Sequence, residues 1–189
     1  MVFSPDRYVA ALQFAALRHG GQTVPGSGLP YVVHVTSVAA ETIAGIDADG
    51  ALIGDPDLAV ACALLHDTIE DTAETAEARA ELHGELARQF GAAVADGVLA
   101  LSKDDRLPKG ERMADSLRRL HGQPREVRMV KLADRITNLA PPPAHWPREK
   151  RVAYRAEAIV IADTLGDASP ALHARIRTRI DGYAAFLDG

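Results

Sequence analysis

Residues 57–72 read DLAVACALLHDTIEDT, eight positions from Leu58 to Leu65 with no charged or amide side chain and then a sudden cluster of charge. A run that is apolar on every side is expected as a helix buried on most of its surface. It falls far short of the roughly 18 apolar residues that a membrane-spanning helix needs. Continued as a helix, the run places His66 with Glu70, and Asp67 with Asp71, at four-residue spacing, so the four polar groups form a patch about one turn long. A carboxylate beside such a core is costly unless its charge is paired or binds a metal.

Outward from this stretch the periodicity is helical almost throughout. Val9, Leu12, Phe14, Ala15 and Leu17 follow a Ser4-Pro5 start that has the form of an N-cap and first-turn proline. Gly20-Gly21 ends that helix, and PGSGLP at 25–30 is a loop. Apolar steps resume at Val32 and run to about Ala44; residues 45–56, with three glycines and a proline, are expected as a second loop. Two helices at 76–90 and 92–101 are divided at Gly91, and SKDDRLPKGE at 102–111 is a loop. Further helices are expected at 109–120, 124–140, 148–165 and 169–187, with Pro141-Pro142-Pro143 as the break. The pattern predicts an all-α bundle of roughly eight to ten helices, with residues 1–189 as a single domain.

Composition narrows the class. Among 189 residues, 21 Lys and Arg against 26 Asp and Glu leave a formal charge of −5, which lacks the cationic field of a nucleic-acid binder. At 47% hydrophobic and 25% charged the chain matches an ordinary globule. The one cysteine, Cys62, excludes an internal disulfide and any multi-cysteine zinc module, and its apolar setting assigns it to packing. MVFSPDRYVA has no basic start followed by a long apolar segment, so a cytoplasmic protein without membrane association is expected. The oligomeric state is not legible.

Three more polar side chains interrupt apolar helices: His34 in PYVVHVTSVA, Asp134 in VKLADRITNL, and Asn138 one turn beyond it. Taken singly each has a bland reading, His34 as an ordinary core or surface histidine and Asp134 as the partner of Lys131 or Arg135. Together, His34, His66, Asp67 and Asp134 make a mixed nitrogen and oxygen donor set for a divalent ion, one that does not choose among Mn²⁺, Mg²⁺, Fe, Zn and Ni. An adjacent His-Asp pair can serve one ion only if the helix end lets the two side chains converge. Lys103, Arg106, Lys109, Arg112, Lys131 and Arg135 are the cations available to draw an anionic substrate toward such an ion. His19, His83, His121, His145 and His173 lie in polar or amphipathic surroundings and are expected at the surface.

Six blocks carry a resemblance: FAALRHGGQ (14–22), PYVVHVTSVA (30–39), ALLHDTIEDT (63–72), FGAAVADGV (90–98), LPKGER (107–112) and KLADRITNL (131–139). In this order and over nearly the whole chain, they resemble the HD-domain metal-dependent phosphohydrolases of RelA/SpoT type, among them the small stand-alone alarmone hydrolases. The resemblance implies an all-α fold and hydrolysis of the 3′-pyrophosphate of guanosine tetra- and pentaphosphate, usually with Mn²⁺. It makes His34, His66, Asp67 and Asp134 the metal ligands, and Glu70 and Asp71 the acidic pair that orients or deprotonates the attacking water. It implies nucleotide contacts for Asn138 and Tyr154, and phosphate contacts for Lys103 and Lys109. At 189 residues the synthetase and regulatory segments of the long relatives have no room, so degradation alone is expected.

One departure bears on the substrate. The family follows the glutamine of its first block with a basic cluster, part of which reads guanine and its phosphates. Here Gln22 is followed by Thr23-Val24-Pro25-Gly26-Ser27-Gly28, with no basic residue. Two other readings therefore stay open beside alarmone hydrolysis: the same metal site acting on another nucleotide, such as a nicotinamide dinucleotide phosphate or a nucleoside monophosphate, and a catalytically silent nucleotide-binding module.

Overall fold

The computed structural model describes residues 3–187; Met1 and Val2 of the N-terminal stretch and the last two residues of the expected 1–189 unit lie outside it. The described residues form ten α-helices. They are α1 (Pro5–Arg18), α2 (Val32–Ala48), α3 (Pro56–Leu65), α4 (Thr68–Thr72), α5 (Ala76–Phe90), α6 (Ala92–Leu101), α7 (Arg112–His121), α8 (Arg125–Asn138), α9 (Arg148–Leu165) and α10 (Pro170–Tyr183). Among the described residues an isolated bridge between Thr23 and Pro30 is the one β-type pairing. The all-α expectation holds.

Local chemistry sets the helix starts. Ser4 accepts from the Arg7 N–H ahead of Pro5, Asp55 from Leu58 ahead of Pro56, Thr75 from Ala78, and Ser169 from Leu172 ahead of Pro170. Each pairs an oxygen with one of the amide groups that a helix start leaves without a partner. Gly91, at φ +97°, turns the chain from α5 into α6, a conformation that side chains with a Cβ rarely adopt.

Helix α3 is the centre of the packing. All its residues except Asp57 are buried, and α1, α2, α6 and α8 pack around it. Helix α8 is buried along most of its length, at Glu126, Val127 and Met129–Ile136, and α10 and α9 close its other side. Three buried helices therefore meet at one place, and the polar residues they carry meet with them.

Two differences from expectation concern α2 and the end of α3. Helix α2 continues through Gly45 to Ala48, because Gly45 is a packing position: a Cβ there would stand 2.8 Å from the Leu172 Cγ. The helix expected to continue past His66 instead breaks after Leu65, and His66 and Asp67 form a turn before α4.

Candidate active site

The break after α3 satisfies the condition for a His-Asp pair to act together. His34 comes from the first turn of α2, His66 and Asp67 from the break, and Asp134 from the last turns of α8. The Nε2 atoms of His34 and His66 stand 3.3 Å apart. Asp67 Oδ2 lies 2.9 Å from the His66 Nε2 and 3.4 Å from that of His34, while Asp134 Oδ1 lies 3.8 and 3.6 Å from the same two atoms. Ligands bonded at about 2.0–2.2 Å to one ion stand about 3–3.5 Å apart, so the spacing suits a shared cation.

The donor chemistry passes the same test. His66 Nδ1 lies 2.8 Å from the Ala63 carbonyl oxygen, which can only accept, so Nδ1 carries a proton and Nε2 is the nitrogen that faces the cluster. Two imidazole nitrogens and two carboxylates facing one point need positive charge between them. Burial lowers the affinity of His66 for a proton, but the Asp67 and Asp134 carboxylates outweigh it and push the group up to about 9. Burial would likewise raise Asp67; the two imidazoles overcome it and hold the carboxyl well below its usual range. For Asp134 burial is overcome by the Lys131 ammonium, 3.1 Å away, and then by His66. Lys131 donates to Asp134 Oδ2 and Asn138 to Oδ1, the oxygen that faces the histidines, so that carboxylate is fixed on both sides.

Two groups that the sequence reading passed over complete the support. The Tyr31 hydroxyl donates to Asp67 Oδ2 at 2.6 Å, and its ring stacks on His19 at 4.6 Å between centroids. His19, expected at the surface, is 3% exposed. Its Nδ1 donates to Gln22 Oε1 at 2.8 Å, and Gln22 in turn donates from Nε2 to the Asp71 carbonyl at 3.2 Å. The end of α1 is thus tied both to a cluster aspartate and to the acidic helix α4. The signal available in the sequence was the pairing of an aromatic residue just before the His34 helix with a histidine just after α1; amphipathicity alone pointed outward.

Glu70 and Asp71 lie on α4. The Lys103 N–H and Nζ donate to the two Glu70 oxygens at 2.7 and 3.2 Å. Burial, then the Asp67 and Glu70 charges, push Asp71 up to about 6. Of the six cations considered, Lys103 reaches the site through Glu70, and Lys131 through Asp134, where it is buried and not on an open face. Arg106 pairs with Asp104, and Arg112 with Asp105. Arg135 pairs with Glu157 and lies 4.4 Å over the Tyr154 ring. Lys109 is exposed on the turn before α7.

Two concavities open nearby, one beside His34 and one beside Lys103. A recess of about 300 Å³ is lined by His34, Asn138, Trp146 and Tyr154, with the 22–30 loop and Pro141–Pro143 as its rim. Lys103 lines a second, larger cleft of about 730 Å³ with Arg79, His83 and Asp104.

Helices that converge on a His, His-Asp, Asp cluster define a recognised class, and residues 11–165 match the HD domain; the chain belongs to this family. Its relatives include the guanosine-3′,5′-bis(diphosphate) 3′-pyrophosphohydrolase MESH1 of Danio rerio, 36% identical over 129 residues. That match covers 68% of this chain and 64% of the zebrafish protein, just under two thirds of its length. The protein of the same name from Drosophila melanogaster is 30% identical over 164 residues, 84% of each chain. Among solved structures, one reported as a metazoan ortholog of SpoT that hydrolyses ppGpp matches with a TM-score of 0.75 and 26% identity, covering 96% of this chain and 98% of that one. The resemblance drawn from the six sequence blocks is borne out. No helix among the described residues is long and apolar enough to cross a membrane.

Proposed function

We propose that this chain, acting as one unit over residues 1–189, hydrolyses the 3′-pyrophosphate of guanosine tetra- and pentaphosphate with Mn²⁺ as its ion. The observation that carries the reading is the convergence of His34, His66, Asp67 and Asp134 with Glu70 and Asp71 on the next helix turn. The relatives named for this activity support it.

His34, His66, Asp67 and Asp134 would hold the ion, which when bound supplies Lewis acidity to a phosphoryl oxygen and to the attacking water. Lys103 fixes the Glu70 carboxylate through two hydrogen bonds, leaving lone pairs on both oxygens to take a proton from water. That water attacks the phosphorus bonded to the ribose 3′ oxygen; the P–O3′ bond breaks, pyrophosphate leaves, and the 3′ oxygen takes up a proton. Asp71, whose carboxyl burial raises to about 6, would orient that water or supply the proton. Asn138 and Tyr154, at the recess, contact the nucleotide; Lys103 and Lys109 meet phosphate oxygens. Lys131 acts through Asp134, whose charge it balances.

A second reading, hydrolysis of a different nucleotide phosphoester, is favoured by one observation: the rim that follows Gln22 brings Val24, Pro25 and Leu29 to the recess and no cation. A hydrolysis panel with Mn²⁺ tests both. Pyrophosphate release from guanosine tetraphosphate alone supports the first reading, and phosphate release only from a dinucleotide phosphate or a nucleoside monophosphate replaces it with the second. Nucleotide binding without turnover would leave a silent binding module.

A further inference from the structure

We propose that Arg79 is a positioning residue for Glu70, acting through the backbone of Lys103. The proposal rests on Glu70 as the base, as in the function proposed above, and adds what holds that base in place.

The two partners lie on slight supports. Glu70 sits on α4, a helix of five residues. Lys103, whose N–H and Nζ donate to the two Glu70 oxygens, follows the end of α6. The chain has already left the helix there: Ser102 is extended, at φ −70° and ψ 137°, and residues 103–111 contain no helix. A group on a loop is less precisely placed than one on a helix unless surrounding contacts fix it. The backbone at Lys103 matters most, because the shorter bond to Glu70, 2.7 Å, comes from its main-chain N–H.

Two arginines supply the contacts. In a continuing helix the Lys103 N–H would bond to the Leu99 carbonyl, four residues back. Arg119, from α7, takes that carbonyl at 2.8 Å, together with those of Ala100 and Ser102 at 3.1 and 2.8 Å. The end of α6 is thereby satisfied without Lys103, whose N–H is left to Glu70. From α5, Arg79 Nη1 donates to the Lys103 carbonyl at 3.0 Å. Arg119 thus closes α6, and Arg79 holds the residue that carries the donors.

Arg79 is well founded for this. Helix α5 is 15 residues long and packs along α6. The second Nη of Arg79 donates to Asp105 Oδ2 at 3.2 Å, which turns the guanidinium toward the loop. With Asp105 59% exposed, that ion pair contributes little by itself. The carbonyl contact is the one that reaches Glu70.

A double-mutant cycle in the full-length protein with Mn²⁺ tests the proposal, read on the nucleotide that the hydrolysis panel shows to be cleaved. Arg79→Ala is expected to lower kcat by about 10–100-fold, the cost of a misplaced catalytic group, with bound Mn²⁺ unchanged. In a Glu70→Ala background the same substitution is expected to cost less than about twofold, because residues that act as a unit are not additive. The full loss in both backgrounds, or a single variant within about twofold of the native chain, would overturn the proposal. Hydrogen exchange needs no turnover: the Lys103 amide is expected to exchange about tenfold or more faster in Arg79→Ala, with the α8 amides unchanged. Unchanged exchange at Lys103 would contradict the role given to the carbonyl contact. Arg79→Lys keeps the charge and one donor, and it carries the same cycle with a smaller loss should the alanine variant not fold. Cleavage of a different nucleotide with a non-additive cycle removes the alarmone reading and leaves the positioning role. Cleavage of guanosine tetraphosphate with an additive cycle does the reverse, and a chain that cleaves nothing overturns both.

Discussion

A glutamate held by one lysine and a tyrosine hydrogen-bonded to one aspartate carry separable burdens. Glu70 does not belong to the four-ligand cluster, and both its oxygens are oriented by Lys103. Glu70→Ala is therefore expected to retain its metal and lose about 10²–10⁴-fold in turnover, as removal of a general base does; metal analysis and pyrophosphate release on one preparation check it. Asp67→Ala and Asp134→Ala should lose metal and turnover together. Tyr31→Phe deletes only the hydroxyl that donates to Asp67 Oδ2. Loss of an outer partner of a metal ligand costs about 10–100-fold in metal affinity, and a Mn²⁺ titration of the variant measures it. The cluster itself was legible in the sequence, because charge that interrupts an apolar helix needs a reason. His19 and Tyr31 were not, since burial of a polar ring depends on the neighbour it stacks against, and that neighbour lies twelve residues away.

At the scale of elements, the break between α3 and α4 does what a continuous helix cannot. It turns His66 and Asp67 toward the same point and leaves Glu70 and Asp71 one short helix further on. The start of α1 was readable from Ser4-Pro5, which supplies an acceptor and a fixed φ, and Asp55-Pro56 and Ser169-Pro170 act the same way at α3 and α10. The helix at Gly45 was not readable, since a glycine marks a turn and a close approach with the same letter; here Leu172 decides. The start of α3 has a dedicated partner in Glu126, buried, whose Oε1 accepts from the Gly54 and Asp55 N–H groups at 2.8 and 3.1 Å. Glu126→Ala is expected to destabilise the fold by about 1.5–3 kcal/mol, the usual worth of hydrogen bonds to a charged group. Urea unfolding at constant m-value checks this, and a change below about 0.5 kcal/mol would place the start of α3 under other control.

Across the whole molecule, one buried junction of α2, α3 and α8 serves both stability and chemistry, so the ion that suits the cluster is also expected to hold the bundle together. Three helices meet where carboxylates and imidazoles meet, and without positive charge between them that junction is costly. An ion that binds only the folded chain stabilises it by about 2.7 kcal/mol at a hundredfold excess over its Kd. For a chain of this size that corresponds to roughly 5–10 °C in Tm. Thermal melts with Mn²⁺ and with EDTA should differ by this much in the native chain and not in Asp134→Ala. The direct test of the account is to strip the protein of metal, restore Mn²⁺ stepwise, and follow bound ion and pyrophosphate release from guanosine tetraphosphate together. Turnover should rise in proportion to the bound ion and stop rising when each chain holds one. Full turnover in the stripped protein, or a fully loaded protein that releases nothing, would contradict it.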